Sequence, residues 1–511
     1  MNHRILDDCF ASFDSTLPSP PWGRGAGGEG VGSRSSRAKF ARITTLTVLG
    51  LLLLAASALG ADKEQPLPKD LPPYGQMKPF PAPQVTTEKL ANGLELWLEP
   101  RPGFPKVSYT LAVRGGLAAD PQDLPGLAEL LTATLDQGTA TRTAKQLAEE
   151  LQAAGGDLNA TAGSESIVVS TGVLSAKAEA GLVLLADLVC HATFPGEEVE
   201  LAKRNAVEHL QEQEADPDFL AERAMARALF GQHPYAVTSL TQDSISRTTA
   251  GLLRSEYARR FRPDQAILVV VGDFDVAKMA ESAAALLGVW AAPSTPPAPA
   301  VEAPSQVPPH AVFIVDRPGS VQTTLGIGCL GPSETSPDYA AVQVANALYG
   351  GMFGSRLTLN IREHKGYTYS PFAEVSPRRT VGLLETWAAV RNEVTGATFN
   401  EIEYELNRLA TTSPSEEELV HAQRYLVGTQ AIELQGQDSL GRSLARLWVL
   451  GLPPEELGRE SERIGKVTIQ DVDAAAARYF PAARQTIVAV GVKKVIKEQL
   501  APFLLEIKAA P

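Results

Sequence analysis

The chain has 511 residues, of which 44% are hydrophobic and 21% charged, a composition typical of globular proteins. This length exceeds what one hydrophobic core supports, so at least two domains are expected. The formal net charge of −13 argues against nucleic-acid binding, because binding phosphates requires a basic surface.

The first predicted element is an N-terminal targeting segment. A basic stretch from Arg34 to Arg42 precedes an apolar run over residues 43–59, and small residues follow at Gly60 and Ala61. This order is typical of a secretory signal peptide cleaved near Gly60 or Ala61, and it predicts a secreted or periplasmic protein. The apolar run borders on the length that spans a bilayer, so without cleavage it would act as a membrane anchor.

Proline-rich segments divide the rest of the chain. After the leader and signal peptide (1–61), residues 62–84 form a Pro-rich extension, and residues 291–310 have the composition of a semi-rigid Pro-rich linker. These segments delimit two halves of similar length, 85–290 and 311–505, and each half is predicted to be one domain.

The two halves resemble each other in sequence. The segment "FRPDQAILVVVG" begins at Phe261 and "FPAARQTIVAVG" at Phe480, while "PGEEVELAKR" begins at Pro195 and "PSEEELVHAQR" at Pro414. Both pairs are separated by 219 residues, which indicates an internal duplication. The predicted fold class is therefore α+β, with two duplicated α/β sandwich domains joined by the Pro-rich linker. Two unrelated α/β domains are the alternative.

One predicted helix near the start of the first half lies within "GLAELLTATLDQGT", which spans Gly126 to Thr139. The face of this helix that is not apolar carries Glu129, Thr132 and Ala133. Their i, i+3, i+4 spacing would present them to one shared site. The apolar residues recur at helical spacing and are predicted to face the core: Leu127, Leu130, Leu131 and Leu135.

Five segments together resemble the pitrilysin/insulinase zinc peptidases, the family that includes mitochondrial processing peptidase. The resemblance extends from about Val85 to Val492 and implies two domains of the pitrilysin/processing-peptidase type. The segments are, in chain order, "LANGLELWLEP", "PGLAELLTATLDQGT", "GGDLNATAGSESIVVST", "GQHPYAVTSLT" and "LYGGMFGSRLTLNIREHKGYTYS".

In catalytic members of this family the first-half helix carries HxxEH, where two His bind zinc and the Glu activates the metal-bound water. Here Glu129, Thr132 and Ala133 stand at those positions, and His209, with Glu208 beside it, stands where the family has a third ligand. These five residues are termed the degenerate positions. Because an Ala has no lone pair and a Thr is no carboxylate base, no zinc or other cofactor is expected on this chain. The alternative is an active peptidase in which Glu129 with Glu208 or His209 holds a metal.

In heterodimers of this family one subunit binds the zinc, and its partner supplies an Arg/Tyr pair. Arg362 and Tyr369, in "REHKGYTY", match that pair. The resemblance implies that both reach the partner's zinc site, where an Arg fork holds a peptide carbonyl or carboxylate and a Tyr hydroxyl donates to a developing oxyanion. From the residues alone, Arg362 would pair with Glu363 and Tyr369 would pack in a strand.

The expected function is therefore that of a non-catalytic, substrate-binding subunit of a heterodimeric zinc metallopeptidase, inactive alone. The partner would carry HxxEH and the zinc. The substrate would be a peptide added as a strand to the sheet edge at Asn159, Ala160 and Thr161. The alternative is a structural homologue with no role in proteolysis, comparable with the family's core subunits in the mitochondrial respiratory complex.

Overall fold

The computed structural model describes residue 75 and residues 82–298 and 300–510. The predicted signal peptide lies outside the described residues, and so does most of the Pro-rich extension. In the described part, no helix is both long and apolar enough to cross a membrane. The two halves of the chain lie within one compact unit.

The first half forms a six-stranded sheet with helices around it. The strand order is β1-β2-β6-β3-β5-β4, so β4 is an edge strand that pairs with β5 in antiparallel register. The strands are β1 (Thr86–Lys89), β2 (Glu95–Pro100), β3 (Lys106–Arg114), β4 (Leu158–Ala162), β5 (Ser166–Leu174) and β6 (Ala266–Gly272). The helices are α1 (Leu127–Ala133), α2 (Ala144–Ala153), α3 (Ala178–His191), α4 (Gly196–Ala215), α5 (Pro217–Phe230), α6 (Gln242–Arg247), α7 (Ala250–Arg260) and α8 (Val276–Leu287).

The second half forms another six-stranded sheet, in the order β12-β7-β11-β8-β10-β9. Its strands are β7 (Val312–Asp316), β8 (Gln322–Gly331), β9 (Phe372–Pro377), β10 (Gly382–Arg391), β11 (Thr486–Gly491) and β12 (Ile507–Ala509). Its helices are α9 (Tyr339–Asn346), α10 (Thr395–Thr411), α11 (Glu416–Glu433), α12 (Gln437–Leu450), α13 (Glu456–Lys466), α14 (Ile469–Tyr479) and α15 (Lys493–Leu500). Two further stretches, Ala347–Gly351 and Thr358–His364, have π-helical geometry.

The two sheets share one topology. Strands β2, β6, β3, β5 and β4 of the first sheet correspond in order to β7, β11, β8, β10 and β9 of the second. The sheets differ only at one edge, where β1 is antiparallel to β2 but β12 is parallel to β7. The predicted α+β fold with two duplicated halves is therefore confirmed.

Each central strand is buried on both faces, because a helix of the opposite half covers the outer face. In β6, Val270 belongs to the core of the first half, whereas Val269 packs in a cluster with α12 of the second half. In β11, Ala489 belongs to the core of the second half, whereas Val488 packs in a cluster with α5 of the first half. Burial on both faces explains why the two strands are continuous apolar runs in the sequence.

Candidate functional site

Helix α1, which carries three of the degenerate positions, is placed by the glycine before it. Gly126 has a φ of +79°, a left-handed conformation that glycine adopts without strain. A Cβ at this position would lie 2.4 Å from the Cα of Leu240, so the two backbones approach too closely for a side chain. The leucines of the predicted apolar face are at most 1% exposed, as the helical spacing predicts: Leu127, Leu130, Leu131 and Leu135.

A buried ion cluster fixes the N-terminal end of α1. Asp120 Oδ1 accepts hydrogen bonds from the Ala128 N–H at 3.2 Å and from the Arg260 guanidinium at 2.6 Å. Arg260 is the last residue of α7, and it also pairs with Glu256 at 2.9 Å. The side chains of Asp120 and Arg260 are 0% and 1% exposed. Burial raises the pKa of Asp120 to about 6, although the positive charge of Arg260 opposes this shift.

The degenerate positions on α1 differ in exposure and bonding. Glu129 is half-buried, Thr132 is buried and Ala133 is exposed. Thr132 Oγ1 donates to the Glu129 carbonyl at 2.9 Å, so the hydroxyl is used within the helix. Burial, and next the negative charge of Asp120, raise the pKa of Glu129 to about 7. In this setting the Glu129 carboxyl keeps its proton to a higher pH than an ordinary glutamate does.

The remaining degenerate positions, Glu208 and His209, lie exposed on α4, which packs against α1. His209 Nδ1 is 3.8 Å from Glu212 Oε2 on the same helix. Across the described residues, no three or more His, Cys, Asp or Glu side chains are grouped so that they could hold a metal ion. Because Ala133 also lacks a lone pair, the residues at the degenerate positions do not fit a zinc ion.

The structure brings Arg362 and Tyr369 together. The guanidinium carbon of Arg362 lies 4.7 Å from the centre of the Tyr369 ring and 4.6 Å from the centre of the Phe353 ring. Both rings are exposed, Tyr369 to 80% and Phe353 to 65%. Arg362 Nε also pairs with Glu363 at 3.1 Å, as the residues alone suggest. Tyr369 does not pack in a strand, however, because it precedes β9 and its ring faces solvent beside the cation.

Irregular helical geometry positions Arg362. It lies in the π-helical stretch Thr358–His364, and such turns occur frequently at functional sites. Asn360 Nδ2 anchors this stretch to α10 by donating to two glutamates there, at 3.0 and 2.8 Å. Gly366, with a φ of +62°, donates its N–H to the Arg362 carbonyl at 3.1 Å and ends the helical geometry. The chain reverses there, which allows Tyr369 to return over the guanidinium.

The predicted peptide-binding residues lie on β4, at the edge of the first sheet. Asn159 and Thr161 are exposed, whereas Ala160 is half-buried and packs against the core. Helix α1 packs beside this strand, so the structure places the predicted binding edge next to the degenerate positions. Strand β9, at the corresponding edge of the second sheet, begins three residues after Tyr369.

Comparison with known proteins agrees with this architecture. The sequence model described as "Insulinase (Peptidase family M16)" matches residues 97–242, and that described as "Peptidase M16 inactive domain" matches residues 248–426. The chain belongs to peptidase family M16. An uncharacterized zinc protease of Mycobacterium leprae is 26% identical over 393 residues, which cover 77% of this chain and 88% of the relative. One from Bacillus subtilis is 23% identical over 397 residues, covering 76% and 94%.

Solved structures share the M16 fold. The peptidase M16 inactive domain from Pseudomonas fluorescens has a TM-score of 0.75 at 27% identity, covering 80% of this chain and 98% of that one. A protease from Helicobacter pylori has a TM-score of 0.76 at 18% identity, covering 80% and 100%. A chain of complex III2 from Candida albicans has a TM-score of 0.69 at 19% identity, covering 81% and 97%. The resemblance to the pitrilysin/insulinase family is therefore confirmed.

Phe353 is a site residue that the sequence pattern does not single out. It lies in "GGMFGS", a glycine-rich stretch that resembles an ordinary tight turn. A large apolar residue between glycines in a turn has no core to enter, and in this M16 chain it packs against Arg362 instead. That combination of Phe and flanking glycines is the signal that could have identified it.

Proposed function

We propose that this M16 chain is the non-catalytic, peptide-binding subunit of a heterodimeric zinc peptidase. The observation that carries the proposal is the contact of the Arg362 guanidinium with the exposed rings of Tyr369 and Phe353. A cation and a phenolic hydroxyl are presented there together, on a chain whose degenerate positions do not fit zinc. Such a chain contributes to hydrolysis by acting on a peptide held at a zinc-bearing partner.

In this proposal Arg362 and Tyr369 act on the same substrate. The two aromatic rings and the Glu363 carboxylate hold the guanidinium in one place, so little conformational entropy is lost when it binds a peptide carbonyl or carboxylate. The Tyr369 hydroxyl donates a hydrogen bond to the carbonyl oxygen of the scissile bond as negative charge develops on it.

The two edge strands supply the peptide-binding surface. Strand β4, with Asn159, Ala160 and Thr161, and strand β9 each lie at the end of a sheet, so each presents one backbone edge to an added strand. Phe372, the first residue of β9, is 47% exposed and adds an apolar contact near Tyr369. An extended peptide would gain main-chain hydrogen bonds along such an edge and side-chain specificity from the neighbouring surface.

The test is co-expression with an M16 chain that carries HxxEH, followed by assay of peptide hydrolysis. Tyr369→Phe keeps the ring and removes the hydroxyl, so we expect kcat to fall about 100-fold with little change in KM. Arg362→Gln is expected to lower kcat/KM by a similar factor. Arg391→Gln is the control, because Arg391 is a more exposed arginine of the same half and forms its ion pair with the surface residue Glu393.

Size-exclusion chromatography of each complex separates a loss of chemistry from a loss of assembly. If the Tyr369→Phe complex assembles and retains wild-type kcat, the hydroxyl has no catalytic role and the structural-homologue alternative is favoured. If the purified chain alone cleaves peptides, stops with chelator and recovers with zinc, the divergent-metal-site alternative is correct instead.

A secreted or periplasmic location completes the proposal, and it rests on the signal-peptide pattern of residues 34–61. N-terminal sequencing of protein recovered from cell fractions tests it. A mature end near Ala61 in the periplasmic or secreted fraction supports cleavage, and an intact segment in the membrane fraction supports an anchor. Full-length chain in the cytosol contradicts both.

A further inference from the structure

A cavity of about 460 Å³ lies where the edge hairpins of the two sheets meet. The turn between β4 and β5 contributes Ser164 and Glu165, and the turn between β9 and β10 contributes Arg379. The Arg379 N–H donates to both carboxylate oxygens of Glu165, at 3.0 and 3.2 Å, which joins the turns. This volume is within the range of sites that bind small ligands.

The lining of this cavity is rich in arginine. Five arginines line it, together with a single carboxylate, that of Glu165. Three of the five already have carboxylate partners among the described residues: Arg259 with Glu256 at 2.6 Å, Arg260 with Asp120 at 2.6 Å, and Arg262 with Asp264 at 2.6 Å.

The other two arginines, Arg114 and Arg379, lack such close carboxylate partners. The Arg114 guanidinium stacks on the Trp448 ring at 3.9 Å and donates to the Trp448 carbonyl at 2.8 Å. Its Nε is buried without a hydrogen-bond partner, although a buried donor ordinarily finds one. Burial, and next the positive charge of Arg379, lower the pKa of Arg114. Within the described residues, neither guanidinium forms an ion pair with a carboxylate.

Charge counting indicates how much negative charge the cavity accepts. Its five arginines face five carboxylates, namely Glu165, the three ion-pair partners named above, and Glu95, whose negative charge acts on Arg114 together with that of Glu165. Because these charges already balance, a bound monoanion adds less excess negative charge than a dianion such as phosphate. Pro296, Pro297 and Val449 add apolar wall, which suits an anion with a carbon body.

The geometry points to a binding site for an organic carboxylate in this cavity, held by Arg379 and Arg114. Either a free small acid or the C-terminal carboxylate of a peptide carries this chemistry. An Arg fork binds a carboxylate through two parallel N–H···O bonds. The site is separate from Arg362 and Tyr369 and does not depend on their proposed role.

Isothermal titration calorimetry on the purified protein tests the site. The probes are N-acetyl-alanine, its uncharged amide, and inorganic phosphate. We expect saturable binding of N-acetyl-alanine, no binding of the amide, and phosphate weaker than the acid. Arg379→Gln should weaken the acid at least about tenfold, as expected for loss of a charge-assisted hydrogen-bonded pair. Arg391→Gln, at another exposed arginine of the same sheet, should leave it unchanged.

A second pair of probes distinguishes the two carboxylate sources. A short peptide with a free C-terminus that binds more tightly than N-acetyl-alanine assigns the site to peptide termini, and equal binding assigns it to small acids. An amidated peptide that binds as well as the free one would overturn the proposal. So would phosphate that binds more tightly than the acid, or acid binding that Arg379→Gln leaves intact. Equal thermal unfolding temperatures of the two variants show that folding is unaffected.

Discussion

Removing the Arg260 guanidinium should destabilise the protein strongly, because this side chain joins α7 to the turn before α1. Its donors reach Asp120 at 2.6 Å and the carbonyls of Gly115 and Gly116 at 2.8 and 2.9 Å. Arg260→Met keeps most of the aliphatic stem and removes all of these bonds. It leaves the Asp120 carboxylate, which is 0% exposed, without its positive partner.

The magnitude follows from that burial. Breaking one partner of a buried ion pair costs about 3–5 kcal/mol, because the remaining group must either stay charged without solvent or take up a proton. We expect Arg260→Met to lower the free energy of unfolding by about 4 kcal/mol, measured by urea denaturation at neutral pH. The control is Arg247→Met, whose partner Asp123 lies on the same loop as Asp120. Those two side chains are 45% and 65% exposed, so solvent screens their pair and its loss should cost far less stability.

A double variant separates ion pairing from packing. Arg260→Met combined with Asp120→Leu removes both charges, so we expect it to recover part of the stability lost in Arg260→Met. If Arg260→Met costs no more than Arg247→Met, the buried cluster does not stabilise α1 and the reasoning is wrong. A double variant less stable than the sum of the single ones would show that the hydrogen bonds to backbone, rather than the charge, dominate.

Three further predictions concern α1. Because the folded state raises the pKa of Glu129 from 4.5 to about 7, it binds more protons than the unfolded state in this window. The unfolding free energy of wild type minus that of Glu129→Gln should therefore fall as pH rises from 4.5 to 7. The slope should be at most about 1.4 kcal/mol per pH unit. Denaturation curves that give the same difference at every pH would contradict this. Gly126→Ala should cost about 2–4 kcal/mol in the same denaturation assay, since its Cβ would overlap the neighbouring backbone; a loss below about 1 kcal/mol would contradict the close approach. The variant E129H/T132E/A133H/H209E should bind about one zinc per chain by metal analysis, and the same variant with Ala133 retained should not; equal zinc in both would refute the role given to that position.

The elements that the sequence predicts are those with a local pattern. The leucines of α1 are buried because their spacing matches the helical period. Strands β6 and β11 are recognisable as equivalent because the same apolar run recurs in both halves of the sequence. Arg260 has no such signal. It follows Arg259 in the last turn of a helix, a position typical of exposed cations near the negative end of the helix dipole. Its burial depends on Asp120, which lies 140 residues earlier in the chain.

Some residues of the candidate site can likewise be predicted from the sequence, and others cannot. The spacing of Arg362 and Tyr369 is visible in the sequence, and the structure places the two side chains in contact. The stacking of Phe353 depends on a π-helical stretch, and no periodicity predicts that geometry. The arginine-lined cavity also escapes sequence reasoning, because its residues come from two hairpin turns, the end of β3, the ends of two helices and the linker. Only the packing of distant segments brings them together.

The reciprocal covering of the sheets by α5 and α12 bears on how a duplicated chain of this kind arises. A half-length precursor with one sheet would leave the outer face of β6 or β11 in water, since the helix that covers it belongs to the other half. Two such precursors would bury both faces of each sheet if they formed a symmetric homodimer in which the helix of each subunit covers the sheet of the other. Fusion of the two genes through a proline-rich joint would then fix the exchange within one polypeptide and free each copy to diverge.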